Sequence, residues 1–163
     1  MRRSVLILGE ALTSSDSSKG SYVPIAAADA REAARRKIAV VTTALLLTRA
    51  PGPARTPLRP FVAANLRLLR DAGVTLLIGS DNPMDTSVLE VQQLATLGVF
   101  DNLSLLKMWS EATPRAIFPD RRIGSLTDGS EASFVALGGD PITDFANVRR
   151  IRHRFKQGVL LTP

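Results

Sequence analysis

The sequence lacks cysteine and contains a single histidine, His153, among its 163 residues. The absence of cysteine excludes a disulfide framework, thiolate zinc sites and cysteine nucleophiles. No stretch approaches the ~18 apolar residues of a membrane span. The apolar run near the N-terminus ends by Glu10, which is too early for a signal peptide. We therefore expect a cytoplasmic protein without a membrane partner.

The composition is that of a folded protein. Hydrophobic residues make up 45% of the chain and charged residues 22%, which is close to globular averages and argues against disorder. The 21 Lys and Arg residues outnumber the 15 Asp and Glu residues, for a formal net charge of +6. This charge permits an anionic partner but does not require one.

Predicted strands and helices alternate along the first two thirds of the chain. Short β-branched or apolar runs predict strands at Ser4–Leu8, Ile38–Thr43 and Val74–Ile78,. Helices are predicted at Ala26–Arg36, around Val62–Leu69 and at Val88–Leu97. Gly73 and Gly98 stand where helix C-caps belong, and Ser87 with Glu90 has the spacing of a capping box. This order is typical of a parallel sheet with helical crossovers.

The pattern changes after Ile123. Helices predicted at Leu103–Glu111 and from Thr113, with Thr113 as N-cap, give way to short strands separated by turns. The strands are predicted at Glu131–Leu137, Val148–Phe155 and Val159–Leu161. We predict two parts, a partial α/β barrel over residues 1–122 and a β segment over residues 123–163.

Asp81 immediately follows the most apolar predicted strand. Ligands of parallel α/β folds bind at the C-terminal ends of the strands, where a carboxylate can hold a divalent metal or act as a general base. The same Ser-Asp-Asn-Pro sequence also suits a simple turn in which Asp81 bonds its own backbone. Position alone favours the turn.

An ordered set of short motifs resembles the C-terminal portion of the amidohydrolase superfamily, nearest to its imidazolonepropionase-like branch. The set extends from residue 38 to residue 161. The motifs are AGVTLLIGSD (72–81), ATPRAI (112–117), RIGSL (122–126), EASFVAL (131–137), DPI (140–142) and FKQG (155–158).

The resemblance implies an α/β fold, namely the C-terminal part of a TIM-type (β/α)8 barrel followed by the C-terminal strands of a small β-sandwich. It implies a hydrolase that uses one or two metals, usually zinc, to hydrolyse a carbon–nitrogen bond other than a peptide bond. Asp81 matches the aspartate of the eighth barrel strand, which binds metal and accepts the proton of the attacking water. With the resemblance, the catalytic and metal-binding role of Asp81 is favoured over the turn.

The sequence departs from the family in its metal ligands. The family's His-X-His pair, its lysine or glutamate on strand four and its histidines on strands five and six have no counterparts here. His153 alternates with Ile151 and Phe155, so we expect a half-buried packing residue. A catalytic zinc needs about three protein ligands, and a complete barrel takes ~250 residues. We therefore expect a fragment that alone binds no metal and is inactive, and that needs another chain to complete the barrel around a small-molecule substrate.

A second hypothesis is a non-catalytic or degenerate subunit that acts through a basic strand. Arg150, Arg152 and Arg154 alternate along one predicted strand and could grip phosphates. No exposed aromatic residues are interleaved with them. We expect instead a solvated face that protects a sheet edge, and no nucleic-acid partner.

Overall fold

The structure is a computed structural model that describes residues 5–7, 24–45, 55–80 and 86–162. It has a mixed α/β fold whose chain divides into two compact units, Met1–Val99 and Phe100–Pro163. The division between a barrel part and a β segment at residues 122 and 123 stays a prediction. No helix within the described ranges is long and apolar enough to cross a membrane.

A three-stranded parallel sheet organises the first unit. Its strands are β1 (Val5–Ile7), β2 (Ala39–Thr42) and β3 (Thr75–Ile78), with β2 in the centre. Val40 lies opposite Leu76 in the register of β2 and β3, and both side chains are buried. Such apolar strands suit a sheet that is covered on both faces. The predicted parallel sheet is confirmed.

Helices α1 (Ala27–Arg35), α2 (Arg55–Asp71) and α3 (Ser87–Thr96) follow the predicted order. Helix α2 buries Val62, Leu66 and Leu69, which recur at helical spacing. Gly73 ends this helix with φ of +79°. There the Val74 N–H donates to the carbonyl of Leu69 at 3.0 Å. A left-handed residue after the last turn is typical of glycine, and the predicted C-cap is confirmed.

The predicted capping box at the start of α3 is wrong. The N-cap residue is Thr86, and its side chain makes no capping hydrogen bond. Glu90 does not turn back toward its own helix end, because its carboxylate accepts hydrogen bonds from the backbone of residues 44 and 45. Those amides offer a buried acid two donors, whereas a capping box offers one.

The second unit begins with one continuous helical stretch. Helix α4 (Asn102–Lys107) passes through a single π-helical turn at Met108–Ala112 into α5 (Thr113–Ile117). The predicted N-cap role of Thr113 is wrong, because its backbone is helical. Its hydroxyl donates to the Met108 carbonyl at 2.7 Å. A widened turn leaves carbonyls that a threonine side chain can satisfy.

A three-stranded antiparallel sheet completes the second unit. Its strands are β4 (Phe134–Leu137), β5 (Ile151–Lys156) and β6 (Val159–Leu161), with β5 in the centre. The rings of Phe134 and Phe155 stack across β4 and β5 with centroids 4.6 Å apart. Gln157 and Gly158, at φ of 52° and 80°, form the predicted turn before β6, as a two-residue hairpin requires.

Two of these strands begin later than predicted. A 3-10 helix at Phe145–Arg149 replaces the start of the strand predicted from Val148. The Asp144 side chain accepts from the Ala146 N–H at its start, while Phe145 and Val148 are buried. The predicted strand at Glu131 starts only at Phe134, because Ser133 bonds Glu131 on one side and the Gln157 N–H on the other.

The position of Glu131 predicts an acid-sensitive contribution to stability. The Ser133 hydroxyl, followed by the guanidinium of Arg121 at 2.6 Å, lowers the pKa of Glu131 below its ordinary 4.5. A lowered folded-state pKa stabilises the fold above the unfolded-state pKa, and this contribution is lost as the pH falls through the folded-state pKa. Glu131→Gln should therefore be less stable than wild type at pH 7, and the two should converge in acid. Urea denaturation across a pH series measures this, and parallel curves would refute it.

Candidate functional site

The ends of β2 and β3 form the carboxyl edge of the parallel sheet, the edge at which such folds bind ligands. Just beyond β3, the Gly79 N–H donates to the Thr42 carbonyl at 3.1 Å. A Cβ at Gly79 would lie 2.3 Å from Cγ1 of Val41 and 2.9 Å from the Thr42 carbonyl oxygen. Only glycine lets the two strand ends approach this closely.

Asp81, the predicted catalytic and metal-binding residue, lies outside the described residues. The last described residue before it is Ser80, which is exposed at the end of β3. The chain thus places Asp81 two residues after the Gly79–Thr42 hydrogen bond. Its role stays a prediction.

Glu90 is the acidic residue that the structure brings to this edge. It belongs to the first turn of α3 and is fully buried. One of its carboxylate oxygens accepts from the Ala44 N–H at 2.8 Å, and the other accepts from the Leu45 N–H at 2.7 Å. Ala44 and Leu45 are helical and follow the end of β2 after one residue, Thr43. First-turn amides of a helix lack acceptors within the helix and favour a negative charge.

Opposing effects act on the proton affinity of Glu90. Burial raises its pKa above the ordinary 4.5, while the backbone amides of Leu45 and Ala44 act in the opposite direction. The Thr42 hydroxyl also favours the charged form, although its geometry falls short of a full hydrogen bond. Desolvation is the largest effect, as is usual for a carboxyl group removed from water.

The residues that the structure describes do not fit a catalytic zinc site. They contain no group of three or more His, Cys, Asp or Glu side chains that could hold a metal ion, whereas such a site needs about three protein ligands. His153 lies on β5 in the other unit, and its ring centroid is 6.5 Å from that of Phe155. It is exposed, so the predicted half burial is wrong. Strand β6 pairs with residues 154–156 of β5, so His153 lies beyond the part of β5 that β6 covers.

The basic strand is solvated, as predicted, but only part of it lies at a sheet edge. Arg152 and Arg154 are exposed on β5, which pairs with β4 on one side and β6 on the other. The edge role is wrong for Arg154, because the turn at Gln157–Gly158 brings β6 beside residues 154–156, whereas Arg152 lies beyond these paired residues. Neither arginine has an ion-pair partner among the described residues.

Comparisons with known proteins agree with the fold. The family model described as the amidohydrolase family matches residues 14–161. No curated protein matches the chain. Three solved structures are similar at low identity: a prolidase complexed with N-methylphosphonate-L-proline (20% identity, TM-score 0.67), A. niger ochratoxinase (24%, 0.63) and an amidohydrolase from Thermotoga maritima MSB8 (23%, 0.64).

The similarity to these structures extends over most of this chain but a minor part of theirs. It covers 85%, 77% and 83% of this chain, in the same order, and 38%, 32% and 34% of the three solved chains. At these identities the similarity shows the fold. The chain spans about a third of the length of the structures that it matches.

Proposed function

Since the chain belongs to the amidohydrolase family, we propose that it is the C-terminal part of a metal-dependent hydrolase of carbon–nitrogen bonds. The observation that carries this proposal is the parallel sheet whose buried strand β3 runs into Gly79 and Ser80 at the carboxyl edge; Asp81 is the next residue in the sequence. In this proposal residues 1–122 are a piece of a (β/α)8 barrel, and β4 to β6 belong to a small β-sandwich. The imidazolonepropionase-like branch stays a prediction.

We assign Asp81 the roles of metal ligand and general base in the complete enzyme. Bound zinc would supply a water of lowered pKa, near 7 in place of ~15.7. The described residues do not complete a ligand set, so the chain alone should neither hold zinc nor turn over substrate. The remaining ligands would come from the barrel strands that this chain lacks, on an upstream segment or on another chain.

Zinc content and hydrolysis, measured with and without the missing part of the barrel, test this proposal. Elemental analysis and amine release are measured for the purified chain and for the chain joined to the coding sequence upstream of it. The substrates include N-acyl amides, cyclic amides and Xaa-Pro dipeptides; the dipeptides are added because a prolidase is among the similar structures. We expect zinc and hydrolysis only in the completed protein, since one carboxylate cannot hold the metal.

The outcomes separate the two hypotheses. Stoichiometric zinc with hydrolysis in the chain alone would overturn the fragment proposal. A completed protein that neither binds zinc nor hydrolyses any substrate would favour a non-catalytic module. Its best contact surface would be the exposed Arg152 and Arg154, which have no ion-pair partner among the described residues. Preference for amides over Xaa-Pro dipeptides would support the non-peptide specificity.

A further inference from the structure

We infer that Glu90 is a positioning residue of the proposed active site, because its carboxylate fixes the turn that follows β2. The inference rests on the proposed function, since it takes the carboxyl edge of the sheet as the place of the chemistry. Glu90 would act through the backbone and touch no reacting atom. Its role would be to keep residues 42–45 in place while substrate binds and leaves.

The two hydrogen bonds of Glu90 fix both the position and the orientation of this turn. They use different carboxylate oxygens and consecutive donors, the amides of Ala44 and Leu45. The donors lie 46 and 45 residues before Glu90 in the sequence, so the contact joins elements that the chain itself does not hold together. Hydrogen bonds to a charged acceptor are stronger than those between neutral groups.

A packing role does not account for a carboxylate at this place. Glu90 is fully buried beside the buried side chains of Val91 and Leu94 on the same helix. No cation among the described residues forms an ion pair with it. Burying an acid without a cation costs free energy that an apolar residue of similar size would not. Buried acids with perturbed pKa values are typical of functional sites.

The turn after β2 also forms a hydrogen bond with the residue that follows β3. The Thr42 carbonyl accepts from the Gly79 N–H at the end of β3, while Ala44 and Leu45 donate to Glu90 at the start of α3. The residue after β3 and the helix α3 therefore both form hydrogen bonds with residues 42–45. Small displacements of groups in an active site have large effects on rate. We therefore expect the hydrogen bonds that fix residues 42–45 to affect turnover.

Amide hydrogen exchange in the full chain tests whether Glu90 fixes the turn. Glu90→Gln keeps the size of the side chain but presents an NH2 group to one of the two N–H donors. We expect exchange at Ala44 and Leu45 to quicken by about tenfold more than exchange at Leu76 and Leu77, which report global opening. Gln93→Met, a change on the same helix one turn later, is the matched control and should leave this difference near zero.

Turnover in the completed enzyme tests whether the fixed turn serves catalysis. We expect Glu90→Gln to lower kcat by about 10–100-fold with little change in KM, as losses of supporting residues do. Equal acceleration at all four amides would overturn the anchoring role. Selective acceleration with kcat within about twofold of wild type would overturn the positioning role.

The inference can still be tested if the completed wild type is inactive or if Glu90→Gln does not fold. If wild type itself hydrolyses nothing after completion, the proposed function fails, while the exchange data still decide whether Glu90 holds the turn. If Glu90→Gln does not fold, Glu90→Asp retains the carboxylate on a shorter stem that cannot reach both amides at their present distances. It should then show the same selective acceleration, and uniform exchange in that variant would refute the inference.

Discussion

Asparagine at position 81 is expected to lower kcat of the completed enzyme by about 10²–10⁴-fold, the usual range for loss of a general base. Asp81→Asn preserves the size of the side chain and removes its negative charge. An amide binds a divalent metal more weakly than a carboxylate and cannot accept a proton at neutral pH. The free energy of unfolding should stay near that of wild type, because the change does not alter packing volume.

Steady-state kinetics, zinc content and urea denaturation of the variant together measure these effects. Asp71→Asn is the matched control, since Asp71 is an exposed aspartate at the end of α2 whose partner is Arg70. That control should keep wild-type turnover. Near-normal activity in Asp81→Asn would leave Asp81 as a simple turn residue, the role that its position alone favours.

The alternation of strands and helices in the first unit could be predicted because hydrophobic spacing and glycine both report on local structure. Val62, Leu66 and Leu69 mark one face of α2, and Gly73 ends that helix in a conformation that few other residues adopt easily,. The start of the strand predicted at Val148 could not be found in the same way. Burial of Phe145 and Val148 depends on tertiary packing, which overrides the strand preference of the sequence.

The candidate site was harder to predict than the fold. Asp81 is predicted only through the resemblance, since its position alone favours a turn, and its role stays a prediction. The spacing of Ser87 and Glu90 predicts a capping box, although the helical spacing of Glu90, Leu94 and Leu97 is a usable signal that Glu90 is buried. An acidic residue four and seven positions before buried leucines shares their face, and on a buried face it needs hydrogen-bond donors from elsewhere in the chain. The sequence near Glu90 does not identify these donors, because they follow β2 and lie about 45 residues before Glu90.

Alanine at position 79 is expected to destabilise the chain by about 2–3 kcal/mol, the upper part of the range for overpacking. The new Cβ would lie 2.3 Å from Cγ1 of Val41 and 2.9 Å from the Thr42 carbonyl oxygen, so the ends of β2 and β3 must separate. Separation also lengthens the hydrogen bond from the Gly79 amide to Thr42. Urea denaturation of Gly79→Ala measures the loss.

A double-mutant cycle with Val41→Ala tests whether the loss comes from this contact. Removing Cγ1 of Val41 relieves the shorter of the two overlaps, so Gly79→Ala should cost about 1 kcal/mol less in that background. Gly73→Ala is the control, because a Cβ there meets nothing within 4 Å and its cost is backbone strain at φ of +79°. That cost, about 1 kcal/mol, should be the same with valine or alanine at position 41. Additive effects of Gly79→Ala and Val41→Ala would mean that the strand ends yield without strain, and the carboxyl edge would then be softer than its close contacts indicate.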